Sequence, residues 1–405
     1  MKAAENGHKQ IVELLLQHGA NTETEGVDGP ALQAATFSGY LDIVQMLVAN
    51  GADLHNPDGR YGGPVQAAVH GDHIDILQYL VEQGADINMG LGNVRRWGPD
   101  IQLSAGPLQA AIRTNRAHMI NWLLDHGADA YAHEETPLMA AVKYDNTGIL
   151  NRLVKAGANV NKVSNGYQST TCLYVAVSGG RTEAVRQLLS MGADPNCSGF
   201  HERYFTTTTV LTNACTKDDA DIVRALLVAG ANVHARSVFN DHDEPPLHSA
   251  AKDSKPAVIS LLVAHGAKVN EQVHDGWSAL HCAAQRENEA TLRALISDHK
   301  ADPKVSLING SRPIHSAAAS GSVGCIKALL EAGVDIDVRN GTGRTPLHWA
   351  IERRNVDAVK FLLERGAKKS VKERERGLTA KDMAEMKKRE YEWDEKAREI
   401  AGLFE

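Results

Sequence analysis

Gly341-Thr342-Gly343-Arg344-Thr345-Pro346-Leu347-His348-Trp349-Ala350 reads as a turn that runs straight into a helix. The glycines are free to adopt positive φ, and a hydroxyl residue before proline is a helix start. Thr345 can cap free N–H groups, and Pro346 at the first helical position gives up only an unused donor. This first helix is expected to end near Arg354. A second begins after Asn355, with Val359, Leu362 and Leu363 recurring at helical spacing. Gly366 then closes it in the left-handed conformation found just past a helix C-terminus.

The same close recurs along the chain as Gly-Ala followed by Asp or Asn. It stands at Gly19, Gly51, Gly84, Gly127 and Gly157, and related forms stand at Gly192, Gly230, Gly266, Gly333 and Gly366. Gly19, Gly51 and Gly84 are 32 and 33 residues apart, whereas Gly127 follows Gly84 by 43. A period near 33 residues means one supersecondary unit copied many times. One such helix pair cannot bury its apolar stripe alone, so the units must stack and share a core. The fold expected is an all-α repeat solenoid of helix-turn-helix units with a β-turn or hairpin finger.

Thr345-Pro346-Leu347-His348 with the later Leu362-Leu363 and Gly366-Ala367 closely resembles the ankyrin repeat. Comparable copies begin at Pro246, Ser278 and Arg312, and weaker ones at Thr136, Thr171 and Thr209. Ala31-Leu32-Gln33-Ala34-Ala35, Pro64-Val65-Gln66-Ala67-Ala68 and Pro107-Leu108-Gln109-Ala110-Ala111 carry glutamine in place of the histidine. That form is similar to ankyrin arrays of filamentous fungi. The resemblance covers nearly the whole chain. It gives a shortened first unit over 1–23, about ten stacked repeats over 24–370, and a capping half-repeat with a charged helix over 371–405. The first unit starts inside a first helix at Ala3-Ala4, which reads either as a stripped-down cap or as an array severed from a larger receptor-like protein. His299-Lys300-Ala301-Asp302 lacks the closing glycine and reads as a local irregularity or a one-residue insertion.

Composition narrows the function. A formal charge of −7 argues against a general nucleic-acid binder. Five scattered cysteines without a C-x-x-C pair point to a reducing compartment, cytoplasmic or nuclear. No apolar run reaches the length of a membrane span. Lys387-Lys388-Arg389 could serve as a nuclear address, although acids flank it. Of eighteen histidines, His248, His281, His315 and His348 fill the motif slot, whose ring in this family hydrogen-bonds the turn backbone. None of the remainder forms a zinc-spaced cluster, and His133-Glu134-Glu135 and His242-Asp243-Glu244 are isolated turn segments. No G-x-S-x-G, phosphate loop or activated cysteine is present. No enzyme, metal or cofactor is expected.

What remains is recognition. The resemblance implies that the two residues after each Ala-Ala face a concave groove. Those positions and their neighbours include Phe37, His70, Arg113, Lys143, Tyr144, Lys217, Lys252, Arg286 and Arg353. A basic stripe there would attract an acidic peptide or domain; the alternative is solvated helix positions, where Lys and Arg are good formers. Finger insertions near 89–106, 197–208 and 236–244 supply Arg95, Arg96, Trp97, Phe200, Tyr204 and Phe205, residue types common at interface hot spots. Those aromatics could equally fold back onto the finger. The expected protein is a monomeric, non-catalytic scaffold that binds a protein partner. Its alternative is a nuclear ankyrin coregulator of a fungal biosynthetic or signalling pathway.

Overall fold

The computed structural model describes residues 1–24, 29–89, 106–130, 136–164, 168–201, 206–239 and 242–405. They form two compact units, Met1–Ala193 and Asp194–Glu405.

Each repeat is a helix pair for reasons local to its sequence. In one copy the first helix is Pro346–Glu352 and the second Val356–Glu364. The start is fixed reciprocally: Thr345 N–H and Oγ1 lie 3.2 and 2.8 Å from His348 Nδ1. Thr136 Oγ1 likewise accepts from Met139 N–H at 3.2 Å. Closing glycines such as Gly51, Gly84 and Gly366 have φ between 81° and 94°, and an added Cβ at each would meet nothing within 4 Å. Glycine is needed there for its conformation and not for space. Lys300 occupies the same slot at φ 58°. Its turn is wider, because Ala301 N–H reaches back six residues to Leu295 O, whereas Ala267 N–H reaches back five to Leu262 O. This is the one-residue insertion that the sequence offered as an option.

A second left-handed slot lies between the two helices of each pair. It is filled by Gly7, Gly39, Asp72, Asn115, Asp145, Gly180, Asp218, Glu287, Gly321 and Arg354. One repeat departs: Ser254 is extended (φ −92°, ψ 159°), and so is Lys255, which precedes Pro256. A residue before proline is pushed out of the helical region, so this junction is rebuilt.

Within each unit the first helices pack in a row, and each second helix packs against its own first helix. From Leu41–Ala49 to Val356–Glu364, a leucine at one equivalent position of each second helix fills the seam. Leu47, Leu80, Leu123, Leu153 and Leu188 do so in the first unit, and Leu226, Leu262, Leu295, Leu329 and Leu362 in the second, all at most 2% exposed. The Ala-Ala pairs are buried because the first helices approach closely. At one end, helix Lys9–Gln17 leaves Ile11, Leu14 and Leu15 exposed. At the other, Ala380–Glu390 and Glu395–Gly402 form a pair of their own. Lys387, read from sequence as part of a solvated run, is buried there between Glu352 and Glu390, at 2.9 Å from each.

Where Asp or Asn follows the closing Gly-Ala or Gly-Val, it has a physical role. Its Oδ1 accepts the N–H two residues on, as in Asp53–His55, Asn159–Asn161 and Asp335–Asp337, at 2.8–3.0 Å. The side chain two residues later accepts the N–H of the next repeat, as in Asn196 with Asn232 and Asn270 with Asp302. In the second unit, two finger insertions become antiparallel hairpins: Ser198–His201 with Thr206–Thr209, and Ser237–Phe239 with His242–Glu244. They join side by side through Thr207 and Val238.

Candidate protein-interaction surface

The motif histidines are occupied by the scaffold. His281 Nε2 lies 3.2 Å from Ser311 O, and its Nδ1 accepts from Ser278 N–H. His315 Nε2 meets Val338 O and Arg344 O, while Nδ1 accepts from Arg312 N–H at 3.0 Å. A carbonyl only accepts, so both rings are neutral with the proton on Nε2. Burial holds both well below the ordinary histidine range, at about 4. Gln33 does the same work without a titratable ring, donating from Nε2 to Asn56 O and Asp58 O at 2.9 and 2.5 Å. His18, His126 and His265 each turn Nδ1 onto the carbonyl four residues back, at 2.8 Å. Burial pushes the Cys282 and Cys325 thiols up to about 12 and about 11, so they stay protonated at neutral pH. Among the described residues no group of three or more His, Cys, Asp or Glu could hold a metal ion. No helix among them is long and apolar enough to cross a membrane.

The positions after Ala-Ala divide in the first unit. Thr36, Val69, Ile112 and Val142 are buried, while Phe37, His70, Arg113 and Lys143 reach the surface. One residue is about 100° of helix, so the first position turns into the core and only the second can face outward. Phe37 stacks on Tyr61 with centroids 4.2 Å apart and planes at 13°, and the His70 ring is 6.0 Å from Tyr61. Burial, helped by Arg116 and Arg113, lowers His70 to about 4. Arg113 and Lys143 both lie over the Tyr144 ring, 5.7 and 5.8 Å from its centroid. The structure therefore brings Phe37 and His70 to the same Tyr61 ring, and Arg113 and Lys143 to Tyr144.

In the second unit the cations are not equivalent. Lys252 is half-buried and paired to Glu244 of the finger hairpin at 2.7 Å, which neutralises it. Lys217, Arg286 and Arg353 are exposed and have no ion-pair partner among the described residues. Phe200 sits half-buried in its strand. Arg95, Arg96, Trp97, Tyr204, Phe205 and His133-Glu134-Glu135 lie outside the described residues.

Stacked pairs, a hydroxyl-Pro-Leu-His helix start and a left-handed glycine at each close are one repeat written along the chain. The family model for ankyrin repeats, built as blocks of three copies, matches residues 1–58, 67–164, 107–199, 149–237, 211–306 and 280–373. The chain belongs to the ankyrin-repeat family. It is 33% identical over 131 residues to the nuclear factor NF-kappa-B p105 subunit of Gallus gallus, covering 31% of this chain and 13% of that protein. Over 209 residues it is 26% identical to ankyrin repeat protein nuc-2 of Neurospora crassa, covering 51% of this chain and 18% of that one. The chain thus spans less than a fifth of the length of either relative. Among solved structures, the human ASB11 ankyrin repeat domain is 25% identical, with a TM-score of 0.48, over 57% of this chain and 99% of that chain.

As an ankyrin array, the chain carries a protein–protein interaction domain of a fold that is typically a non-catalytic scaffold. Sequence reasoning missed one feature of its surface. A recess of about 420 Å³ opens in the second unit between Trp277 and Trp349, with Leu307, Asn309, Ser316 and Arg353 among its lining. The available signal was Trp349, which fills the variable motif slot where other copies carry Ser249, Cys282 and Ser316.

Proposed function

We propose that this ankyrin array is a non-catalytic scaffold that binds a protein partner across the exposed face of its first helices and its finger loops, acting as a monomer. The observation that supports this reading most directly is the division of labour within the repeat. Motif residues are consumed by caps, turns and seams, whereas Lys217, Arg286 and Arg353, one residue further along their first helices than Phe37 and Arg113 along theirs, are exposed with no ion-pair partner among the described residues. Side chains spared by the scaffold can vary without harm to the fold, which suits them to recognition. Exposed cations at Lys217, Arg286 and Arg353 favour an acidic peptide or domain, while the pairing of Lys252 with Glu244 removes that residue from the count.

Cross-linking the full chain in its native cell, with partners identified by mass spectrometry, tests the reading. Binding of the recovered partner is then measured with Lys217→Glu and Arg286→Glu, and with the 89–106 finger shortened. A partner that binds equally well to all of these forms refutes the face-and-finger account. Similarity to a nuclear factor supports a second reading, a nuclear coregulator in a fungal biosynthetic or signalling pathway. Exclusion of a fluorescently tagged chain from the nucleus rules it out.

A further inference from the structure

The recess of the second unit has a definite origin in three consecutive repeats. Their first helices, Ala279–Gln285, Pro313–Ser320 and Pro346–Glu352, pack side by side. At equivalent slots the middle helix carries Ser316, Ala319 and Ser320, where the following helix carries Trp349, Glu352 and Arg353. Small side chains flanked by large ones leave a gap of about 420 Å³, a size within the usual range of ligand pockets. Two indoles form its apolar walls: Trp277 from the finger before the first of these helices, and Trp349 from the third.

Its electrostatics are one-sided. Among the described residues that line it, Arg353 alone is formally charged and none is a carboxylate. Glu352, next to Arg353 in the chain, is engaged with Lys387 at 2.9 Å. His315, at the edge of the recess, is neutral and committed to three backbone groups. The Trp349 indole Nε1 has no acceptor among the described residues. An ammonium group between the indoles would meet Arg353 with no counter-charge, which excludes the cationic ligands that aromatic pairs otherwise favour. A carboxylate would find a planar guanidinium able to bind it through two parallel hydrogen bonds.

We propose that this recess seats an acidic segment of a partner polypeptide, with one aliphatic side chain between Trp277 and Trp349 and a neighbouring carboxylate on Arg353. The inference rests on the scaffold reading above and names the chemistry of one subsite. Because the lining is drawn from three repeats, an extended chain can follow it, with Arg286 exposed beside Gln285 as a second cation.

Random peptides displayed on phage and selected on the immobilised full chain provide the test. The expected enrichment is of Asp or Glu beside Leu, Ile or Val. The affinity of an enriched peptide, read by fluorescence anisotropy, should fall ~10-fold or more in Arg353→Glu and in the recess-filling Ser316→Leu. Circular dichroism checks that both variants fold, and residue 353 is exposed, so its reversal leaves the core intact. Enrichment of basic peptides, no enrichment, or acidic peptides that bind both variants as well as wild type would each overturn the inference. The cross-linked partner decides the scaffold reading separately. A partner that ignores Arg353→Glu and Ser316→Leu but loses affinity with Lys217→Glu leaves that reading standing and removes the recess.

Discussion

Replacing His281 and His315 together by glutamine should flatten the acid sensitivity of the second unit. Both rings are buried and hold a proton on Nε2 for a neighbouring carbonyl, while Nδ1 accepts a backbone N–H. Protonating Nδ1 turns that acceptor into a donor facing a donor, inside a site that already disfavours charge. In the folded chain both titrate at about 4, against 6.5 in the unfolded one. The unfolded state therefore binds more protons between these values, and stability falls as the pH drops. The contribution is complete above 6.5 and declines down to about 4. From pH 7.5 to 5.0 the loss is on the order of 2 kcal/mol for each ring and 4 kcal/mol for the pair. Glutamine is a fitting replacement because Gln33 already makes the matching carbonyl contacts, and Gln109 Oε1 accepts from Gly106 N–H at 3.1 Å. Urea unfolding followed by circular dichroism at the two pH values gives the comparison. The double variant should lose about 4 kcal/mol less than wild type on acidification. His348 and His70 titrate in both proteins and cancel in the difference, whereas His248 is coupled to His281 through charge repulsion and changes with it. An equal acid loss in the two proteins would falsify the argument.

Glu287 sits at φ 61° in the inter-helix slot, so Glu287→Gly should stabilise by about 0.5 kcal/mol, strain relief exceeding backbone entropy. Glu287→Val should destabilise, and a thermal melt that ranks valine above glycine contradicts the slot assignment. Leu329 is fully buried in the seam, and Leu329→Ala should cost about 3 kcal/mol. Hydrogen exchange should then accelerate first in helix 323–331, and uniform acceleration across both units would count against repeat-wise packing. Lys387→Ala leaves Glu352 and Glu390 without their shared ammonium, at a cost of about 2 kcal/mol. Limited proteolysis should release the C-terminal helix pair earlier, and unchanged cleavage would mean that the buried lysine does not hold it.

The repeat was written in the sequence because its causes are local. Thr345-Pro346 starts a helix, Gly366 stops one, and a leucine at fixed spacing marks the seam, each acting within a few residues. The irregular turn at Lys300 was visible for the same reason, as a glycine missing from its slot. What a side chain does at the surface depends on neighbours a whole repeat away, and there the sequence fell short. Lys252 looked like a groove cation until the hairpin brought Glu244 to it, and Lys387 looked solvated until helix packing set it between two acids. The left-handed slot is glycine in only some repeats, such as Gly39 and Gly321, so Asp72, Glu287 and Arg354 in the same place did not announce it.

By itself, the sequence determined the helix pairs and their stacking into an array, since capping, turn chemistry and periodicity are properties of the chain. Tertiary structure alone decided which basic residues stay unpaired and where the surface is hollow. The recess exists because Ser316, Ala319 and Ser320 lie between Trp277 and Trp349. Adjacency of that kind is created only when consecutive repeats pack at close range.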